Sequence, residues 1–159
     1  MQKLTIHLAD EAATSAFGAA LAQCLAPGLI IYLQGDLGAG KTALTRALLH
    51  AAGYVGSVKS PTYTLVEHYV LPARQLQVVH FDLYRMGSPE EFLESGLQEE
   101  FNRHNICIVE WPEQAAGVLP TPDWQICFQL PATGRDIELT ALSPEGQSCL
   151  KSLHFAPNL

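Results

Sequence analysis

The apolar positions of the chain fall into two alternating patterns. Leu29–Leu33 and Ile106–Val109 are short runs that are apolar throughout, the pattern of strands covered on both faces in a parallel sheet. Leu4–Leu8 alternates loosely and predicts an opening strand. Ala13, Ala16, Phe17, Ala20, Leu21 and Cys24 recur at helical spacing, with Asp10 as the cap before them and Pro27-Gly28 as the stop. A second helix is predicted over Thr42–Ala52, with Gly53 placed to end it. Tyr63–Leu71 and Leu76–Asp82 read as strands around Pro72-Ala73-Arg74. Ser88-Pro89-Glu90-Glu91 opens a helix that Gly96 ends, through a capping serine and a proline at the first helical position. Leu97–His104 predicts a short helix. Trp124–Leu130 and Asp136–Leu142 predict an antiparallel pair around Gly134, and Ser143-Pro144-Glu145 starts a last, weaker helix. The sum is one α/β domain over residues 1–159. Its sheet is largely parallel and flanked by helices, with antiparallel strands at one edge.

Composition narrows the function. The chain has 159 residues, of which 48% are hydrophobic and 16% charged, enough for a single packed core. Its net charge of −7 argues against non-specific binding to a phosphate backbone, which needs a basic face. No run approaches the ~18–20 apolar residues of a membrane helix, and the first residues lack the apolar core of a secretory leader. Cys24, Cys107, Cys127 and Cys149 form no C-x-x-C pair and sit in apolar stretches, as free thiols of a reducing cytoplasm would.

One segment carries chemistry on its own. Gly35-Asp36-Leu37-Gly38-Ala39-Gly40-Lys41-Thr42 matches the phosphate-binding loop G-x-x-x-x-G-K-[ST], between an apolar strand and a helix. Its glycines let backbone N–H groups converge on phosphate oxygens, Lys41 reaches the β- and γ-phosphates, and the Thr42 hydroxyl suits Mg²⁺. The following helix turns its positive end toward the same anion. The expected fold is therefore of the P-loop NTPase type.

Phosphoryl transfer also needs carboxylates near the metal and the attacking water. Asp82 and Glu110 each end a predicted strand, where open parallel sheets bind ligands. If both strands flank the Leu29–Leu33 strand, one acid holds Mg²⁺ and the other orients the nucleophile; the residues alone leave the two roles exchangeable. Ser60-Pro61-Thr62 forms a hydroxyl-bearing loop suited to sensing the γ-phosphate. His80, on an apolar strand, reads as a satisfied core histidine.

Taken together, Gly35–Thr42, Ser60–Glu67, His80-Phe81-Asp82-Leu83-Tyr84-Arg85, Glu110-Trp111-Pro112 and Gly117–Pro120 resemble the bacterial TsaE (YjeE) family. The likeness runs from about Leu8 to Arg135. It implies a Mg²⁺-dependent ATPase that supports threonylcarbamoyl-adenosine formation at position 37 of tRNA together with TsaB and TsaD, which would handle the tRNA. By the family pattern, Thr42 and Glu110 would hold Mg²⁺, and Lys41, Asp82 and Thr62 would serve hydrolysis. The nucleotide would contact Leu37, Gly38, Ala39, Gly40, Lys41, Thr42 and Trp111, with Glu11 and Arg135 near the adenosine. Judged on their own, Arg135 reads as a solvated hairpin-tip residue, Trp111 as a cleft-wall aromatic and Glu11 as a first-turn acid. No arginine finger is placed by pattern, Arg46 and Arg85 being the candidates, so hydrolysis is expected to be slow without partners. Two other readings stay open. A small-molecule kinase would need convergent arginines, whereas the five here are spread from Arg46 to Arg135. A nucleotide-dependent scaffold would need no turnover at all. A GTPase is disfavoured, because no lysine is followed two residues later by aspartate.

Overall fold

The computed structural model describes residues 2–155. Among them, seven strands form one sheet in the order β1-β7-β6-β2-β5-β4-β3. These are β1 (Gln2–Leu8), β2 (Ile30–Gln34), β3 (Val66–Leu71), β4 (Leu76–Asp82), β5 (Asn105–Glu110), β6 (Trp124–Gln129) and β7 (Arg135–Ala141). The centre is parallel: β2 pairs with β5 and β6, and β5 pairs with β4. Both edges are antiparallel, through β3–β4 on one side and β6–β7–β1 on the other. The late hairpin places antiparallel strands at one edge as expected, and the other edge is antiparallel as well, because the Pro72-Ala73-Arg74 connection is a single tight 3₁₀ turn that can only return the chain antiparallel.

The sheet divides the interior in two. One face, with Ile31, Leu33, Val78, Ile106 and Ile108, packs against α1 (Glu11–Ala22) and α2 (Lys41–Ala51) through Phe17, Leu21, Leu44 and Leu48. The other face, with Val79, Phe81, Cys107 and Val109, is covered by Phe92 of α3 (Pro89–Ser95) and by Ala115. The two helices on the first face approach closely at Gly18. A Cβ there would lie 2.6 Å from Ala47 Cβ and 2.9 Å from the Leu48 nitrogen.

Capping follows the sequence at most ends. Asp10 accepts a hydrogen bond from the Ala13 N–H at the start of α1. Ser143 accepts one from the Gly146 N–H at the start of α4 (Pro144–Leu150). The end of α2 closes as a Schellman motif, with Tyr54 N–H bonded to Leu49 O and Gly53 N–H to His50 O. Ser88, in contrast, makes no side-chain cap on α3; Pro89 and the acids Glu90 and Glu91 start that helix without it. Leu97–His104 holds only a 3₁₀ turn over Leu97–Glu100, and Tyr63 lies in a turn before β3. All four cysteines are free thiols; burial raises Cys24 to about 11 and Cys107 to about 12, as inert apolar side chains. No helix of the described residues is long and apolar enough to cross a membrane.

Candidate functional site

The glycine-rich loop joins the carboxyl end of β2 to α2. Gly35 starts it with φ +150°, where a Cβ would lie 2.9 Å from Phe128 Cβ, so only glycine lets the loop leave β2 against β6. Gly40 ends it at φ +107° and is the N-cap of α2, which no side chain caps. The first-turn N–H groups of an 11-residue helix therefore face the loop, a ready seat for an anion. Lys41 is 4% exposed, and its ammonium donates to the Gly35 carbonyl while lying 3.9 Å from the centre of the Trp111 ring. Burial pushes the Lys41 ammonium below its ordinary value, against the upward pull of Glu110, Asp82, Glu113 and Asp36.

The two acids stand together, but not as anticipated. Of the two acid-bearing strands, only β5 flanks β2; β4 lies beyond β5, so Asp82 is one strand further from the loop than expected. The register nevertheless places Asp82 directly opposite Glu110, and Glu110 opposite Leu33 of β2. Thr42 Oγ1 donates to Glu110 Oε2 at 3.0 Å. Thr62 Oγ1 donates to Asp82 Oδ2 at 3.0 Å and lies 2.7 Å from Ser60 Oγ, while the other Asp82 oxygen accepts the Tyr84 N–H. Both carboxylates are buried, Asp82 at 5% and Glu110 at 3% exposure. Among the described residues no group of three or more histidine, cysteine or acidic side chains is arranged to hold a metal ion by itself. One hydroxyl and one carboxylate held together instead fit Mg²⁺, which takes few protein ligands and completes its shell with phosphate oxygens and water.

Trp111 has a left-handed backbone, φ +58°, before Pro112, and this turn lays its indole over Lys41 with Tyr84 4.9 Å away on the other side. Leu37 and Gly38 are exposed in the loop and Ala39 is buried. Arg135 is no solvated hairpin tip. Its Nε donates to Ala39 O at 2.9 Å and its Nη2 to Gly38 O at 3.3 Å, tying β7 to the loop. Glu11 and Arg135 line one cleft of about 480 Å³ with Gly40, Ala43 and Arg46. Arg85 instead stacks 4.5 Å over the exposed Tyr63 ring, and Arg74 binds the Ala22 carbonyl, so neither joins Arg46 and Arg135 at this cleft.

Two features lay beyond the sequence reading. Tyr69 reaches from β3 to bond both the nitrogen and the oxygen of Lys59, which anchors the loop before Ser60. His80 is not a satisfied core residue: it is fully buried, with Nε2 2.6 Å from Glu110 Oε2, and its Nδ1 has no partner. The signal available was its period-two spacing from Asp82, which places both side chains on one face of β4.

Residues 8–137 match the family model described as threonylcarbamoyl adenosine biosynthesis protein TsaE. A tRNA threonylcarbamoyladenosine biosynthesis protein TsaE from Haemophilus influenzae is 40% identical over 157 residues, covering 96% of this chain and 98% of that protein. One from Bacillus subtilis is 34% identical, covering 100% of this chain and 99% of that protein. The crystal structure of Bacillus subtilis YdiB superimposes with a TM-score of 0.80 at 28% identity, covering 96% of this chain and 94% of YdiB. With the loop, the paired acids and the central parallel sheet in place, the chain belongs to the TsaE family of tRNA threonylcarbamoyladenosine biosynthesis proteins.

Proposed function

We propose that this TsaE-family chain binds ATP with Mg²⁺ and hydrolyses it in the cytoplasm, as the nucleotide-driven component of a complex with TsaB and TsaD. The observation that carries this reading is the double pairing at the mouth of α2: Thr42 with Glu110, and Thr62 with Asp82. The first pair would hold Mg²⁺, which when bound neutralises charge on the phosphates. The second couples a buried carboxylate to a loop that can respond to the γ-phosphate.

Each residue then has a task. Loop amides from Leu37 to Thr42 and the uncapped end of α2 receive the phosphates. Lys41 exchanges the Gly35 carbonyl for phosphate oxygen, and Trp111 walls that position. Asp82 orients the attacking water; its oxygen bonds the γ-phosphorus as the bond from that phosphorus to the β-phosphate oxygen breaks, the water's proton leaves on the phosphate formed, and ADP and phosphate depart. Thr62 is then free to follow its loop, which changes the surface shown to partners. Glu11 and Arg135 border the cleft that would take the adenosine. Of the described arginines near the loop, Arg135 is occupied with carbonyls and Arg46 lines the cleft that would take the adenosine, so turnover is slow until a partner assists. With a net charge of −7, tRNA is met mainly through those partners.

Calorimetry with Mg·ATP, then phosphate release with and without TsaB and TsaD, tests this. Saturable binding and partner-stimulated release are expected. No binding by folded protein overturns the nucleotide reading, and a rate unchanged by partners overturns their role.

A further inference from the structure

We infer that His80 is a positioning residue that fixes the Glu110 carboxylate for the metal; the inference rests on the reading of Glu110 as a Mg²⁺ holder. β4 carries Val78, His80 and Asp82 on one face, and the register sets His80 opposite Ile108 and Asp82 opposite Glu110. His80 thus occupies a fully buried position between Ile108 of β5 and Glu67 of β3, where a leucine or phenylalanine would pack without leaving a buried nitrogen unpartnered. The one bond its side chain makes is to Glu110, with Nε2–H donating to Oε2 at 2.6 Å.

The same oxygen accepts the Thr42 hydroxyl at 3.0 Å, whereas Oε1 lies 3.4 Å from it. A carboxylate with two donors on one oxygen cannot rotate about its terminal torsion without losing both. Oε1 is therefore presented in one direction, toward the mouth of α2. A donor behind a metal-binding carboxylate orients it and typically changes metal affinity by about 10–100-fold. Asp82, beside it, is held by Thr62 and the Tyr84 N–H and makes no hydrogen bond to the ring, so the effect belongs to the metal and not to the water-orienting acid.

The test replaces His80 with Phe, which keeps bulk and removes the donor, and with Gln, whose side-chain N–H restores one. Mn²⁺ binding to the protein with a non-hydrolysable ATP analogue is followed by electron paramagnetic resonance, and analogue binding in EDTA by calorimetry. Expected are a tenfold or greater loss of Mn²⁺ affinity in His80→Phe, metal-free analogue affinity within twofold of the parent, and partial recovery in His80→Gln. Parent-like Mn²⁺ affinity in His80→Phe, or equal losses in both variants, overturns the inference. Should His80→Phe not fold, the parent decides through the ¹⁵N signals of its His80 ring, which His80→Gln assigns by their loss. A change at Nε2 on adding Mg²⁺ to the analogue complex supports the role, and no change overturns it. A parent protein that binds the analogue but shows no Glu110-dependent Mn²⁺ site brings down the underlying metal reading as well, a result distinct from a defect confined to the His80 variants.

Discussion

Asp82 and Glu110 lie opposite each other on adjacent parallel strands, yet each carboxylate receives a threonine hydroxyl from a different loop. Thr42 belongs to the phosphate-binding loop and Thr62 to the segment that follows α2. The two acids are therefore neighbours in space and divided in their partners.

That division is open to mutation. Asp82→Asn should still bind Mg·ATP but release phosphate about 10²–10⁴-fold more slowly, the usual worth of a positioned acid–base group. Glu110→Gln should instead weaken the Mg²⁺ dependence of nucleotide binding. Calorimetry with and without Mg²⁺, paired with single-turnover phosphate release, separates them. Two variants with the same profile would remove the distinction.

Arg135 is predicted to matter through its fork. Its guanidinium bonds the carbonyls of Gly38 and Ala39, which ties the glycine-rich loop to β7 just before α2. Arg135→Lys keeps the charge but not the planar pair of donors. Both Arg135→Lys and Arg135→Ala should lower ATP affinity, by about tenfold for the loss of one charge-assisted contact pair. They should also speed amide exchange in residues 36–41. A lysine variant that binds like the parent would assign the role to charge alone.

Lys41 gives a signature in pH. Its value in the folded chain lies below the ordinary 10.5, mainly through burial. Between the two values the unfolded chain binds more protons than the folded one. Stability therefore rises with pH across that window and is lost as pH falls through the folded value. Phosphate beside the ammonium reverses the shift, so ATP binding at alkaline pH should take up a proton. Calorimetry in buffers of differing ionisation enthalpy reads this directly, and Lys41→Met should abolish the uptake.

The seam between α1 and α2 sets a stability prediction. Gly18→Val would force a Cβ into Ala47 and the Leu48 backbone. Overpacking of this kind costs about 1–3 kcal/mol. Because α2 begins at Lys41, its displacement should also weaken ATP binding. Urea melts and calorimetry on the same sample check both; an unchanged midpoint would mean that the helices can part without cost.

Much of this site was legible before the fold. The loop glycines, Lys41 and Thr42 lie consecutively, so local spacing alone specified them. Asp82 and Glu110 were legible because each closes an apolar run. What the sequence left open depends on strand order, which no local pattern encodes: that β4 lies outside β5, that both edges are antiparallel, and that Arg135 returns to the loop from nearly a hundred residues away. His80 was hidden by its own setting, since β4 is buried on both faces and offers no alternation against which a functional residue stands out. The absent Ser88 cap has a plainer reason: proline at the first position and two glutamates suffice to start a helix of seven residues.

Strand β2 has a consequence for how the molecule is made. Its only sheet partners are β5, where Ile30 meets Cys107, and β6, where Ile31 meets Trp124. While the chain emerges from a ribosome, this apolar ribbon is synthesised early and stays unpaired until about two thirds of the polypeptide has been made. Such long-range closure is slow and leaves sticky backbone uncovered in the interval. The nascent protein is thus most vulnerable to self-association just before Glu110 appears, and the strand that launches the phosphate cradle is also the one that most needs shelter at birth.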